Sequence, residues 1–151
     1  MKIGDRQVVE GQEREFINRE VIPALRGLQD GASIEREYRI PATTTTGAYV
    51  RIWESPEAPT IGCWFIQFRV AGAGAADACV YAREATYQIS VSGGIALIGA
   101  ISTILERESS AAADVRFGVD TDTRKVYVEA IDAGTDMSWE GKVKVLEVVA
   151  A

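Results

Sequence analysis

The sequence predicts a mainly β protein: an antiparallel β-sandwich of jelly-roll type, preceded by one N-terminal α-helix. From residue 33 onward, short segments rich in β-branched and aromatic residues alternate with turn signals. Before that point, apolar side chains recur at helical spacing. The 151 residues, 47% of them apolar and 25% charged, are enough for one domain with a proper core.

The change of pattern divides the chain into two parts. Residues 1–31 are predicted to form a helical arm for oligomerisation or attachment, and residues 32–151 the β-sandwich domain. The helix is expected over residues 12–29, and Pro23 should kink or split it because proline lacks the backbone donor. One stripe of this helix carries its apolar side chains Phe16, Ile17, Val21, Leu25 and Leu28. The stripe could pack on the sheet of its own chain, but its narrow width favours packing against identical helices of neighbouring copies.

Eight segments have the composition of strands. They are residues 34–40, 48–54, 61–70, 78–92, 95–106, 114–120, 125–129 and 139–148. The segment 95–106 is long enough for a buried helix, but its β-branched content and Gly99 favour a strand. The segments 41–47, 71–77 and 107–113 are expected to be loops, because they are rich in breakers or in small and polar residues.

The last predicted strand has an uneven outer face. One side of it carries Val143, Val145 and Val149. The other side carries Lys142, Lys144, Leu146 and Val148, so that it is polar first and apolar at its end. Either a β-bulge changes the register, or the apolar end contacts another subunit. The second alternative agrees with the helix stripe, and it makes Leu146 and Val148 candidate interface residues.

The sequence offers little for catalysis. The absence of histidine removes the commonest general base and metal ligand. Cys63 and Cys79 lack metal-site spacing and are interpreted as small buried hydrophobic residues. The carboxylates considered for a glycosidase pair, Glu84, Glu106, Glu108 and Asp114, have no apolar setting and are expected to face water. We therefore expect no enzyme activity, no catalytic residue, no metal site and no cofactor.

Charge and the length of the apolar runs argue against two classes of partner. The net charge is −6 and lysine and arginine do not cluster, so we expect no nucleic-acid binding. No apolar run approaches the length that spans a bilayer, so we expect no membrane insertion. The first seven residues lack the apolar stretch of a secretion signal, which predicts synthesis in the cytoplasm.

The aromatic residues suggest a binding alternative. Trp53 and Tyr49 are the candidates for stacking on a sugar ring, which would make the chain a carbohydrate-binding β-sandwich module. Tryptophan and tyrosine are also ordinary components of a β core. Trp139, at the start of the last strand, is the expected packing anchor.

Two further blocks of the sequence are distinctive. The first is residues 14–26, REFINREVIPALR; the second joins residues 126–130, VYVEA, to residues 137–148, MSWEGKVKVLEV. Both blocks resemble structural proteins from the virions of tailed bacteriophages and prophages, especially short fibre-like or surface proteins. The resemblance implies a non-enzymatic virion component, commonly a homotrimer, with a helical N-terminal part and a β-sandwich head. The short chain lacks a repetitive shaft, which favours a short tail fibre, a head spike or fibre, or a decoration protein. Its expected partners are itself, other virion proteins and a host-surface glycan, and its expected location is the virion, after synthesis in the host cytoplasm.

Overall fold

The structure is a computed structural model that describes residues 31–45, 47–91 and 94–150. In these ranges the chain forms eight β-strands and no helix. The strands are β1 (Gly31–Thr44), β2 (Val50–Glu54), β3 (Gly62–Gly74), β4 (Ala78–Ser90), β5 (Gly94–Glu108), β6 (Asp114–Asp120), β7 (Lys125–Ile131) and β8 (Met137–Ala150). The prediction of a mainly β, antiparallel protein is confirmed. The predicted helix, and the arm 1–31 apart from Gly31, lie outside the described residues.

The strands form two sheets. The large sheet has the order β1-β8-β3-β4-β5 and the small sheet the order β2-β7-β6, with antiparallel pairing throughout. Phe117 of the small sheet packs on Phe68 and Tyr87 of the large one, with ring centroids 4.9 and 6.2 Å apart. The division into five and three strands departs from the expected jelly roll, because β3, β4 and β5 follow one another as neighbours in a single sheet.

The core lies between the two sheets. Its largest fully buried side chains are Trp64, Trp139, Tyr81, Tyr87, Phe68, Ile40, Ile66, Ile89 and Met137. Burial of each large apolar side chain contributes roughly 1.5–3 kcal/mol, so this set dominates the stability of the fold. Trp139 is the packing anchor that the sequence predicts: its indole N–H donates to Thr44 Oγ1 at 2.9 Å inside the core.

Five strands, β1, β3, β5, β7 and β8, run further than the sequence predicts, and the first three of them extend into expected loops. β1 passes through Pro41 to Thr44, and it tolerates the proline because β1 is an edge strand of the large sheet. β3 extends to Gly74, although its glycines suggested a loop from residue 71. β5 extends to Glu108 and confirms that residues 95–106 form a strand rather than a helix. The loops expected at residues 41–47, 71–77 and 107–113 therefore begin later than predicted.

The register of β8 settles the question raised by its uneven face. Its ladders with β1 and β3 continue without a register shift from Met137 to Val149. Val143 and Val145 therefore enter the core, whereas Leu146 and Val148 face outward and are 39% and 46% exposed. The alternative of a β-bulge is wrong, and the apolar end of the strand lies on the surface.

Candidate functional site

The outer face of the large sheet, which is turned away from the small sheet, has a charged part. Lys142 lies 3.2 Å from Glu37, and Lys144 lies 3.9 Å from Glu35, both across the β1–β8 ladder. Exposed pairs of this kind contribute little to stability. A cleft of about 320 Å³ lies in this region, and its lining includes Glu37, Gln67, Arg69, Ile104, Lys142 and Lys144. The charged part is thus a solvated surface with a cleft whose lining is partly polar and partly apolar.

The opposite end of the same face is apolar. Leu146 stands opposite Phe65 on β3, and the row of cross-strand neighbours continues through Thr86 to Ile98 on β5. In the next row Val148 stands opposite Cys63. We call this surface the outer apolar patch, and it consists of Cys63, Phe65, Ile98, Leu146 and Val148. Cys63 and Phe65 are half-buried and the other three are exposed. Exposed apolar surfaces of this kind are typical of interaction sites.

Strand β5 has an unusual amount of exposed apolar surface. Leu97, Ile98, Ile101 and Ile104 are 42%, 50%, 38% and 57% exposed. Within the described residues β5 pairs with β4 alone, so that its second edge is open. Natural edge strands are usually protected by charges or proline, but residues 94–105 contain neither. The sequence interpretation identified this strand but missed its exposure, for which the uncharged run was the available signal.

A second cleft, of about 330 Å³, contains a buried carboxylate. Its lining includes Arg36, Tyr38, Glu57, Trp64 and Glu147. Glu147 Oε1 accepts a hydrogen bond from Arg36 at 3.2 Å, and Oε2 accepts one from the Trp64 indole at 2.9 Å. Both oxygens are therefore held by neighbouring strands, which is the arrangement of a structural carboxylate rather than of a mobile acid or base.

The carboxylates weighed for catalysis also have structural partners. Each of them accepts a hydrogen bond from another side chain. Glu84 accepts one from Gln67, and Glu106 accepts one from Arg83. Glu108 accepts one from Tyr81, and Asp114 accepts one each from Tyr49 and Arg83. Burial, followed by the 2.5 Å hydrogen bond to Glu108, raises the pKa of the Tyr81 hydroxyl. No cluster of three or more histidine, cysteine, aspartate or glutamate residues that could hold a metal ion occurs in the described part of the chain. Cys63 and Cys79 are free thiols, of which Cys79 is buried and Cys63 half-buried.

The two candidate stacking residues have different environments. Trp53 is only 9% exposed and packs on Tyr38, with ring centroids 5.4 Å apart. Tyr49 is half-buried; the Arg116 guanidinium lies 3.5 Å from its ring centroid, and its hydroxyl donates to Asp114 at 3.0 Å. Burial and this hydrogen bond raise the pKa of Tyr49. Because Trp64 and Trp139 are buried as well, Tyr49 has the more accessible ring for a ligand.

No protein-family model and no curated protein matches this chain. Among solved structures, the tailspike protein of Acinetobacter baumannii phage AM24 is similar over 79% of this chain, with 9% identity and a TM-score of 0.41. The tailspike protein of Acinetobacter phage vB_ApiP_P1 is similar over 78%, with 16% identity and a TM-score of 0.31. The chain spans only 26% and 22% of these two tailspikes. Similarity at this level establishes neither a common fold nor a common function.

The remaining expectations concern the membrane and the arm. None of the residues described here belongs to a helix that is long and apolar enough to cross a membrane. The stripe residues Phe16, Ile17, Val21, Leu25 and Leu28 lie outside the described ranges. Of the predicted interface residues, Leu146 and Val148 are thus the two whose positions are defined, and both lie in the outer apolar patch.

Proposed function

We propose that this chain is a non-enzymatic structural protein of a phage virion surface, such as a short tail fibre, a head spike or fibre, or a decoration protein. It acts through self-association and through surface binding. The observation that carries the proposal is the outer apolar patch together with the exposed side chains of β5, apolar surface that the described residues of a single copy leave uncovered. The resemblance of residues 14–26, 126–130 and 137–148 to virion proteins supports the class.

The proposed assembly is a homotrimer held by the helix stripe, with Leu146 and Val148 continuing the contact. The pairing of Ser33 with Val148 places the beginning of β1 beside the apolar end of β8. Any segment that precedes β1 therefore joins the sheet next to the outer apolar patch. The helix stripe and the patch can in this way belong to one continuous interface.

Native mass spectrometry of the full chain tests the assembly. We expect a trimer or a multiple of it, and we expect Val21→Glu combined with Leu25→Glu to reduce it, because two charges would enter an apolar contact. Arg19→Glu, on another face of the predicted helix, is the matched control and should leave the number of copies in the assembly unchanged. A monomeric wild-type protein at micromolar concentration would contradict the proposal. Antibody labelling of purified particles in the electron microscope tests the location on the virion.

Carbohydrate binding is the second candidate function, either as the role of this head or by itself. The half-buried Tyr49 ring favours it, because Arg116 lies over the ring, Asp114 binds the hydroxyl and Glu129 pairs with Arg116, so that groups able to bind sugar hydroxyls lie close by. Trp53, the other proposed stacking residue, would have to move out of the core to take part. Tyr49→Ala should abolish binding on a glycan array. Tyr127→Ala is the matched control, because Tyr127 also lies under an arginine on the small sheet.

A further inference from the structure

The apolar sequence of β5 is symmetric about its centre. Residues 97–105 read Leu-Ile-Gly-Ala-Ile-Ser-Thr-Ile-Leu, and the same apolar pattern results from either direction. Leucines occupy both ends of the segment. Isoleucines occupy the positions next to the leucines and the centre, and small or hydroxyl residues occupy the remaining positions. Two antiparallel strands place residues at equal distances on either side of a centre opposite each other. A strand with this pattern is therefore complementary to a second copy of itself.

Most of the symmetric residues are accessible to such a copy. Leu97, Ile98, Ile101 and Ile104 are among the exposed large hydrophobic residues of the structure, whereas Leu105 is half-buried. Gly99 has a φ of +72°, and the β4–β5 ladder shifts register between Ala82 and Arg83 and again between Glu84 and Thr86. Such β-bulges disturb the regular alternation of a strand, which accounts for apolar side chains on both of its faces. The described residues of one copy do not cover them.

We propose that β5 is a contact surface for a second copy of this chain, with the two β5 strands antiparallel about Ile101. Leu97 of one copy then faces Leu105 of the other, Ile98 faces Ile104, and Ile101 meets its own counterpart. The contact is isologous, so one two-fold axis closes it. Because the bulges interrupt the backbone edge, side chains carry most of the contact.

The charged end of β5 is compatible with this arrangement. Glu106 and Glu108 of one copy lie opposite Ala96 and Gly94 of the other, so that no carboxylate meets a carboxylate. A parallel arrangement would instead bring the glutamates of the two copies together, and like charges in direct opposition are destabilising. The charge pattern thus selects the antiparallel orientation.

This contact goes beyond the proposed trimer, because it uses no residue of the arm or of β8; Ile98 is the one residue that it shares with the outer apolar patch. A trimer held by the helix stripe and a two-fold contact at β5 are compatible, and together they give pairs of trimers when the two-fold axes cross the three-fold axis at right angles. If the trimer proposal fails, the β5 contact alone gives dimers. The two proposals therefore fail separately.

Cross-linking of the full chain with a short bismaleimide tests the geometry. In a background with Cys63→Ser and Cys79→Ala, Ile101→Cys should cross-link to itself. Leu97→Cys alone should not, because residue 97 lies four positions from the centre, so its two copies are eight positions apart, or roughly 26 Å at about 3.3 Å per residue. Co-expressed Leu97→Cys and Leu105→Cys chains should cross-link. Val91→Cys, at a 66% exposed site outside β5, is the control for random encounter.

A second variant measures assembly. Ile101→Glu should halve the number of copies in native mass spectra, because two carboxylates would meet on the two-fold axis, whereas Val91→Glu should leave that number unchanged. Circular dichroism checks that both variants keep the β fold. Absence of the Ile101→Cys cross-link, or cross-linking of Leu97→Cys alone, would overturn the proposal whatever the state of the trimer. A cross-link from β5 only to a different protein would overturn it as well.

Discussion

The indole N–H of Trp64 donates to the Glu147 carboxylate at 2.9 Å, and both side chains are largely buried. The two residues stand directly opposite each other on β3 and β8. Arg36, from β1 on the other side of β8, binds the second carboxylate oxygen at 3.2 Å. One acidic side chain therefore joins three neighbouring strands of the large sheet.

Loss of this carboxylate should destabilise the fold. Glu147→Ala leaves the Trp64 indole without its acceptor and the Arg36 guanidinium without its charge partner, and we expect a loss of about 2–3 kcal/mol in the free energy of unfolding. Glu147→Gln keeps an acceptor and should cost less. Urea denaturation measures both, and Glu140→Ala, at an exposed position of β8, is the control. Equal stability of Glu147→Ala and wild type would contradict this role.

Gly72 should tolerate no side chain. A methyl group at this position would lie 2.5 Å from Trp139 Cζ3, and the ring cannot move aside because its N–H is bonded to Thr44 within the core. We expect Gly72→Ala to lower the free energy of unfolding by about 1–3 kcal/mol, which is typical of overpacking. Ala73→Ser, at the exposed next residue, should change stability by less than about 0.5 kcal/mol. Thermal denaturation compares the two variants.

Tyr87 should make the fold sensitive to alkaline pH. Burial raises the pKa of Tyr87 to about 12, whereas an unfolded chain ionises its tyrosines near pH 10. The folded state therefore holds this proton longer than the unfolded state. The corresponding stability is complete below pH 10 and is lost as the pH rises toward 12, by an amount on the order of 2–3 kcal/mol.

Urea denaturation at a series of alkaline pH values checks this expectation. Tyr87→Phe removes the ionisable group, so its stability should fall less steeply than that of the wild type above pH 10. Absorbance of tyrosinate would follow ionisation directly. Identical pH dependence of the two proteins would show that Tyr87 does not limit stability there.

Arg124 should stabilise the turn between β6 and β7 despite its backbone conformation. Its φ of 57° is unfavourable for a residue with a side chain, at a cost of roughly 1–2 kcal/mol. The guanidinium compensates by donating to the Pro59 carbonyl at 2.6 Å and to the Ser90 carbonyl at 3.4 Å. We expect Arg124→Gly to be destabilising by about 1 kcal/mol, because hydrogen bonds from charged groups exceed the strain that glycine relieves.

Arg124→Lys distinguishes the two contributions. Lysine keeps the charge and the strained backbone, but it cannot donate to both carbonyls with one planar group. The Arg124→Lys variant should therefore be less stable than the Arg124→Gly variant in urea denaturation. Thr121→Ala, in the same turn and exposed, is the control. A glycine variant more stable than wild type would show that strain outweighs the hydrogen bonds.

The strands were predictable because β-branched and aromatic runs stand between clear breaks. The alternation in β8 also predicted that Leu146 and Val148 face away from the core, and the structure confirms their position. Their role in an interface stays a prediction, as does that of the helix stripe. The glycines of β3 were misleading: Gly72 is required by the close approach of Trp139, and a glycine of this kind cannot be told from a loop glycine by sequence alone.

The exposure of β5 depended on information that is not local. Its composition suits a buried strand as well as an edge strand, and the difference arises from the order of strands in the large sheet. That order depends on pairings such as β1 with β8, which are distant in sequence. In the same way Trp53 was indistinguishable from a surface tryptophan until its contact with Tyr38 was known. Pairing of distant strands thus decides both the surface and the core.

The pairing of Gly31 with Ala150 has a mechanical consequence. Hydrogen bonds of an antiparallel ladder run perpendicular to its strands, so tension applied across this corner loads one bonded pair at a time. The hydrogen bonds of the β1–β8 ladder would then break one after another at low force, beginning with those at Gly31. A particle that held the domain by a single end would put no tension across the ladder, and the sheet would then resist unfolding.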